Sequence, residues 1–364
     1  MKTQVAIIGG GLAGLNAARL LHRAGVDFQL FEARDRLGGR ILTVDQQGSP
    51  GTGGVDLGPS WFWPDAQPAI SALVSDLGIE SFAQCSEGDV LFERMSRERP
   101  HRYAPVNHQG QSMRMHGGTI AIVDALAAQV PADRIHLMSL VRQIELRQGG
   151  VSLSISTEKA GRPCEVQAEH VIAALPPRLF AQSARFVPDI DAPTRARWEA
   201  TPTWMAPHAK FVAFYDRPFW RDAGLCGTAQ SMVGPMAEIH DASGTCGAAL
   251  FGFVGMGPSQ RVTAGEAGLT DACVAQLVRL FGPMASTPSS TLVKDWARDT
   301  MTAAFADIDA PGHPSGASCE PSGDWEGRLH MAGSESSASE PGYLAGAVEA
   351  SARTAAELAR LLGR

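Results

Sequence analysis

Long apolar runs are missing from this sequence. No stretch of its 364 residues approaches the ~18 uninterrupted apolar residues of a membrane-crossing helix, which argues against a membrane protein. Charge is sparse and not basic. Asp, Glu, Lys and Arg make up 19% of the chain, and 38 acidic against 31 basic residues leave a net charge of -7. That is little charge for a disordered chain and the wrong sign for DNA, RNA or anionic membranes. The six cysteines (Cys85, Cys164, Cys226, Cys246, Cys273 and Cys319) include no C-x-x-C pair, and no His-x-His or comparable ligand spacing accompanies them. Reduced thiols in a cytoplasmic protein with no metal site are the expectation. The opening MKTQVAIIGGG places apolar residues after a lysine, but glycines interrupt the run, so it is not read as a signal peptide.

What is present is a chain 44% hydrophobic with 39 glycines and 23 prolines. Its length and apolar content support more than one packed domain, with many tight turns. Val5-Ala6-Ile7-Ile8 reads as a parallel strand buried on both faces. Leu12, Leu15, Ala18 and Leu21 then recur at helical spacing up to Gly25, and 27–31 is a second strand ending at Glu32. Further on, 119–129 reads as a helix, 136–175 as strands, 210–215 and 248–254 as strands, and 271–281 as a helix. The chain closes with a strand near 329–332, a Ser-rich loop over 334–341 that is expected to be ordered, and a helix over about 342–362.

Gly9-x-Gly11-x-x-Gly14 stands between the first strand and its helix, the context that a dinucleotide fingerprint requires. Gly9 permits a tight turn, Gly11 lets backbone approach a pyrophosphate, and Gly14 lets the helix pack on the strand. The N–H groups that open the helix, at Leu12 and Ala13, face the anion. Glu32 lies eighteen residues after Gly14, placed to accept hydrogen bonds from ribose hydroxyls. This pattern alone serves NAD and FAD equally.

The next segment separates them. Glu32-Ala33-Arg34-Asp35-Arg36-Leu37-Gly38-Gly39-Arg40 resembles a stretch of the flavin-containing amine oxidase superfamily of the monoamine oxidase type. There Gly38 and Gly39 bring the chain close to the flavin diphosphate, and Arg40 pairs with phosphate through its forked guanidinium. The resemblance continues in order over most of the chain. The run 55–61, with Gly58, Pro59, Ser60 and Trp61, is similar to the segment along the flavin. Val141 matches the residue whose backbone holds the adenine end. Ala173 to Pro177 resembles the strand with a diproline exit. Gly333-Ser334-Glu335 and 342–348, with Tyr343, Leu344 and Val348, resemble the C-terminal flavin motif, in which Glu335 reaches the ribityl-diphosphate region and backbone near Val348 faces the isoalloxazine.

This resemblance implies an α/β fold: a discontinuous Rossmann-like FAD-binding domain (1–79, 114–199 and 299–364) and a substrate domain on a mixed β-sheet (80–113 and 200–298). It implies FAD as cofactor and an active site between the domains. Three features point to amines. Pro207 to Lys210 with Arg217-Pro218-Phe219-Trp220 is similar to the segment whose lysine holds a water on flavin N5, a role that falls to Lys210. The alternative for Lys210 is a strand-end lysine reaching solvent. Lys294-Asp295-Trp296 resembles the Lys-x-Trp ahead of the active-site turn, where Trp296 is otherwise a core tryptophan. Tyr343 takes one wall of the aromatic cage, and setting Pro311-Gly312 on the family's turn puts Phe305 on the other.

The sequence also departs from the family. Ala304 stands where mammalian monoamine oxidases carry the flavin on a cysteine, so noncovalent FAD is expected. Only 84–115 fills the place of a long helical insertion that roofs the pocket, and no C-terminal membrane helix follows. The implied reaction is oxidation of a small-molecule amine to an imine, then hydrolysis to a carbonyl compound, with electrons passing to dioxygen or another acceptor. A desaturase or oxidase acting on a hydrophobic non-amine substrate shares the cofactor half and is the second reading. A non-catalytic flavin sensor is the third. Oligomeric state is not legible.

Overall fold

The computed structural model describes residues 1–95, 98–104, 111–157, 164–245 and 247–364; Cys246 lies outside them. Two large sheets organise these residues. The first has eight strands and grows outward from the N-terminus. Lys2–Ile8 pairs in parallel with Phe28–Phe31 on one side and Cys164–Ala173 on the other. With neighbours on both edges and helices against it, Val5, Ala6, Ile7 and Ile8 are all buried. The sheet continues through Gly150–Thr157, Ser139–Arg147 and Arg185–Val187 on one flank and ends at Ile135–His136 on the other. Leu329–Met331 joins the C-terminal half of Cys164–Ala173 in parallel.

The first helix, Leu12–Arg23, has its apolar stripe in the core and packs along the last helix, Leu344–Leu361. Asn16 Nδ2 donates to Ser351 Oγ at 2.9 Å, a hydrogen bond between two buried side chains that fixes their register. The chain therefore returns at its C-terminus to the fold begun at its N-terminus.

The second sheet has seven strands in the order Ser290–Asp295, Ala209–Tyr215, Ala248–Val254, Met236–Asp241, Leu225–Ser231, Asp89–Glu93 and His101–Tyr103. Ala209–Tyr215 is buried at every position. Its alternate residues Phe211, Ala213 and Tyr215 share a core with the helix Pro258–Phe281. Val212 and Phe214 face the other way, onto Leu42, Val44, Val55 and Leu57. Lys210 belongs to that second face by the two-residue period of a strand, and so points toward the first sheet rather than toward solvent.

Some expectations shift here. The long helix starts at Pro258, well before 271, and kinks at Gly265, whose φ of 68° lies in the left-handed region. The Ser-rich loop is ordered: Ser334–Ser336 is a 3-10 turn with Ser334, Glu335 and Ser336 buried. The described part of 84–115 contains three short strands and no helix; its residues 96–97 and 105–110 lie outside the described set. No described helix is long and apolar enough to cross a membrane.

Candidate active site

A cavity of about 630 Å³ runs between the two sheets, lined from the first fingerprint glycine to the face of Ala209–Tyr215. Its nucleotide end is built on glycine. Gly9 has φ of 105°, and a Cβ there would meet Ala174 O at 2.7 Å. A Cβ on Gly14 would fall 1.9 Å from Gly9 O. Gly14 is thus a packing glycine and lies off the cavity wall, while Gly11, Leu12 and Ala13 line it. The helix begins at Gly11 with no side-chain cap, so its first N–H groups are open to an anion.

Glu32 is buried. Its Oε2 accepts from Gly10 N–H at 2.6 Å and its Oε1 from Arg34 N–H at 2.8 Å. Ribose hydroxyls would use its further lone pairs. Ala33 and Arg34 line the cavity, but the Arg34 guanidinium turns to Asp299 Oδ1 (2.8 Å) and Thr302 Oγ1 (2.9 Å). Gly38 and Gly39 have φ of 101° and 59° and lie directly against Gly11. Two glycine turns thereby form one cradle, whose small side chains leave room for a diphosphate.

Arg40 carries more than the sequence suggests. It makes a forked pair with Glu335, at 2.7 and 3.1 Å, and donates to Ser334 Oγ at 2.9 Å. The Glu335 side chain is fully buried, while Arg40 keeps 29% of its side-chain exposure. Arg40 lines the cavity; Glu335 does not, and reaches it through Arg40. Gly58, Pro59, Ser60 and Trp61 form the facing wall, and Val141, Gly333, Tyr343 and Leu344 also line the space. Next to Val348, Ala347 lines the cavity, while the Val348 side chain is buried and does not.

Lys210 is only 3% exposed, which overturns the solvent-reaching alternative. Its Nζ donates to Asp56 O (2.9 Å), Gly58 O (2.7 Å) and Ser60 Oγ (3.0 Å). It also lies 4.3 Å from the Phe251 ring centre and 5.4 Å from that of Phe253. All three ammonium hydrogens are donated, so a water bridged by Lys210 must take the place of one of these acceptors. Burial pushes its pKa down to about 7, opposed by the Asp56 carboxylate and reinforced by the Arg114 cation. The Trp296 ring N–H donates to Leu57 O at 3.0 Å, and the Lys294 ammonium sits 4.3 Å over the same indole. Lys210 and Trp296 thus grip the 56–60 segment from one side.

Phe305 is not brought to the site. It opens the helix Phe305–Asp309 with its side chain outward, 75% exposed. The cause is the residue two places on. Asp307 is buried, held by Arg178 Nη1 at 2.8 Å, and its Oδ2 accepts from Ala304 N–H at 3.0 Å. With Ala304 and Asp307 turned inward, Phe305 points out. The rings around Tyr343 are instead Trp204, with ring centres 4.4 Å apart, His313, at 5.6 Å, and Trp63, edge-on at 6.4 Å. The two tryptophans line the cavity.

Sequence reasoning gave no role to Trp204, Met205 or His208 in the 203–208 turn. Met205 adopts a left-handed φ of 63° at the cavity wall, a strained conformation for a residue with a Cβ. His208 lines the same wall, and its buried Nδ1 has no partner among the described residues. Burial, then the Arg261 cation, lowers its pKa, so the ring is neutral.

Residues 12–109 and 92–359 match the family of flavin containing amine oxidoreductases. The chain belongs to this family. The Mycobacterium tuberculosis protein AofH, classed as a flavin-containing monoamine oxidase, is 27% identical, with 98% of this chain and 97% of that protein covered. Flavin-containing amine oxidase B of Sus scrofa is 24% identical over the whole of this chain and 87% of its own length. Cyclohexylamine oxidase from Brevibacterium oxydans shares the fold, with a TM-score of 0.80 at 21% identity and both chains fully covered. This chain is accordingly a flavin-dependent amine oxidase whose cofactor is FAD, and the fold is the two-part α/β fold of that family. Amine oxidation stands ahead of the desaturase and sensor readings. The alignment to the Mycobacterium tuberculosis protein spans 474 positions against 364 residues here, so at least 110 positions face gaps in this chain.

Proposed function

We propose that the chain oxidises a small-molecule amine to its imine, which water hydrolyses to a carbonyl compound, and that the electrons pass to dioxygen as hydrogen peroxide. The observation that carries this reading is one cavity with a dinucleotide cradle at one end, and at the other a buried lysine and three aromatic rings in contact, Tyr343 tilted against Trp204 and edge-on to Trp63. The division into 1–79, 114–199 and 299–364 for FAD and 80–113 and 200–298 for substrate follows the membership of the two sheets. A cytoplasmic location fits the free thiols of the five described cysteines.

FAD, when bound, supplies the acceptor for a hydride equivalent from the carbon next to nitrogen. The protein residues hold and orient. Gly11, Leu12 and Ala13 offer backbone N–H groups to the diphosphate, Glu32 offers a carboxylate to ribose, and Arg40 offers a cation already fixed by Glu335. Tyr343, Trp204 and Trp63 present ring faces and edges that guide an amine nitrogen. His208 is a neutral ring whose buried Nδ1 is free to hydrogen-bond a group bound at the wall. Lys210 holds the 56–60 backbone, and its proton is exchangeable near neutral pH.

No described cysteine lines the cavity, and Ala304 stands at the family's linking position, so FAD should be noncovalent. Acid precipitation of the yellow protein should leave the flavin in the supernatant; flavin remaining with the pellet contradicts this. The reaction itself is tested by anaerobic bleaching at the flavin absorption band over an amine panel, then re-aeration with peroxide measured. Bleaching by amines and stoichiometric peroxide are expected. Bleaching without peroxide would assign a different electron acceptor, and no bleaching by any amine would remove the proposal.

A further inference from the structure

Among the described residues, two buried side-chain polar atoms have no hydrogen-bond partner, Thr203 Oγ1 and His208 Nδ1. Both belong to the turn that leads into Ala209–Tyr215. Between them Met205 holds its left-handed φ of 63°. Unpaired buried groups and strained backbone collect where a fold is shaped for a ligand. The backbone of the turn is nevertheless fixed. His208 N–H donates to Met205 O at 3.1 Å, His208 O accepts from Trp296 N–H at 3.0 Å, and Arg261 Nη2 donates to Pro207 O at 2.8 Å. Thr203 lies off the cavity wall, whereas His208 is on it. The imidazole is the part of the turn left free beside the cavity.

His208 stands two residues before Lys210, and its bond to Trp296 continues the sheet ladder. Both side chains therefore take the same face, about 7 Å apart along the chain. Around His208 the wall is apolar, made by Met205, Ala209, Val254 and Gly255. Other histidines are engaged: His136 with Gln29 Oε1 and His170 with Gly327 O. His208 is the one described histidine on the cavity wall. Charge decides what fits beside it. Arg261, paired with Asp295, lies next to the ring, and together with burial it keeps the imidazole neutral. A second cation is therefore disfavoured. Glu238, held by His240 Nε2 at 2.8 Å, puts an anion on the same wall, so a ligand carboxylate would be repelled. A neutral imidazole has one N–H and one lone pair. A hydroxyl, which likewise donates and accepts, matches it without charge. An alkyl chain in that place would keep the ring nitrogen dry and unpaired.

We infer that His208 is a specificity-determining residue, the subsite for a neutral hydroxyl group of the substrate. The substrate class is hydroxylated amines, whose hydroxyl meets the imidazole while the reacting nitrogen lies beside Tyr343. This rests on the amine-oxidation reading. A buried polar group that is paired by one substrate and left unpaired by another discriminates by about five- to a hundredfold.

The test compares ω-hydroxyalkylamines with n-alkylamines of equal chain length, over a series of lengths, on the FAD-loaded enzyme. The ratio of kcat/KM should favour the hydroxylated amine by about five- to a hundredfold at an optimal length. His208→Leu should reduce that ratio below about threefold, the scale of a surface substitution. His208→Asn, which restores a donor and an acceptor close to the Nδ1 position, should recover part of it. The apoprotein of His208→Leu should melt no lower than wild type, because no hydrogen bond is lost and an unpaired buried nitrogen is removed. Binding is read apart from turnover with amines that have no hydrogen on the carbon next to nitrogen. With and without a terminal hydroxyl, these should show the same His208-dependent preference by calorimetry. Amine oxidation without a hydroxyl preference, or a preference that survives in His208→Leu, overturns the inference and leaves the oxidase reading standing. A preference lost together with several degrees of melting temperature traces to packing of the turn and overturns it as well. A His208-dependent hydroxyl preference in binding, with no flavin reduction by any amine, keeps the subsite and removes the oxidase reading.

Discussion

Lys210→Met should slow one flavin half-reaction, reduction by amine or reoxidation by dioxygen, by about 10²- to 10⁴-fold, the usual worth of a positioned proton-transfer or water-holding group. Methionine keeps most of the stem against Phe251 and Phe253 and removes the ammonium. FAD content should change little, because the diphosphate and ribose contacts lie at the other end of the cavity. The lowered pKa adds a second readout. With the group titrating at about 7, Lys210 is cationic on the acid side and neutral on the alkaline side. The affected rate should show an inflection near neutrality in wild type that is missing in Lys210→Met. The same group makes stability depend on pH with a definite sign. Between about 7 and its ordinary value of 10.5, the unfolded chain carries the extra proton, so stability should rise with pH across that window in wild type. The variant should lose that slope. Stopped-flow reduction and reoxidation, with equal FAD content confirmed, decide the matter. Rates within threefold of wild type in both directions would leave Lys210 a purely structural residue.

The contrast between Lys210 and Phe305 shows what a sequence can carry. Lys210 precedes Phe211, Val212, Ala213 and Phe214, an apolar run that forces the whole strand inside, so the burial of the lysine is a local property. The fingerprint glycines are legible for the same reason: turn, helix start and packing contact are all set within six residues. Phe305 was placed by counting back from Pro311-Gly312, whereas its direction is set by the Arg178–Asp307 pair, formed across 129 positions of sequence. No spacing rule reports a contact of that range. Trp204, Met205 and His208 sit in an irregular turn without a period to read. Glu238 and His240 alternate with Ala237 and Ile239, which in a sequence reads as the solvent face of a strand. The face is polar because it borders a cavity, and that is known only once the first sheet is in place opposite.

Arg40→Ala should be the most damaging change at the nucleotide end, for two reasons that a cycle of variants can separate. The Glu335 side chain has no exposure of its own. Removing its cation leaves a buried carboxylate held, among the described residues, only by Ser334 Oγ, at 3.0 Å. Breaking a buried pair from one side costs about 3–5 kcal/mol, toward the lower end here because water reaches the space that Arg40 vacates. The apoprotein of Arg40→Ala should therefore melt several degrees lower than wild type. Glu335→Gln removes the charge that needs compensation, so the double variant Arg40→Ala/Glu335→Gln should recover most of that stability. FAD affinity should not recover with it. If Arg40 meets the diphosphate, the double variant still lacks a cation worth about ten- to a hundredfold in binding. Apoprotein melting and FAD titration on the four proteins read the two effects separately. Should affinity return together with stability in the double variant, Arg40 would be a brace for Glu335 alone, and the cradle would hold its diphosphate through the backbone N–H groups of Gly11, Leu12 and Ala13 and the start of the first helix.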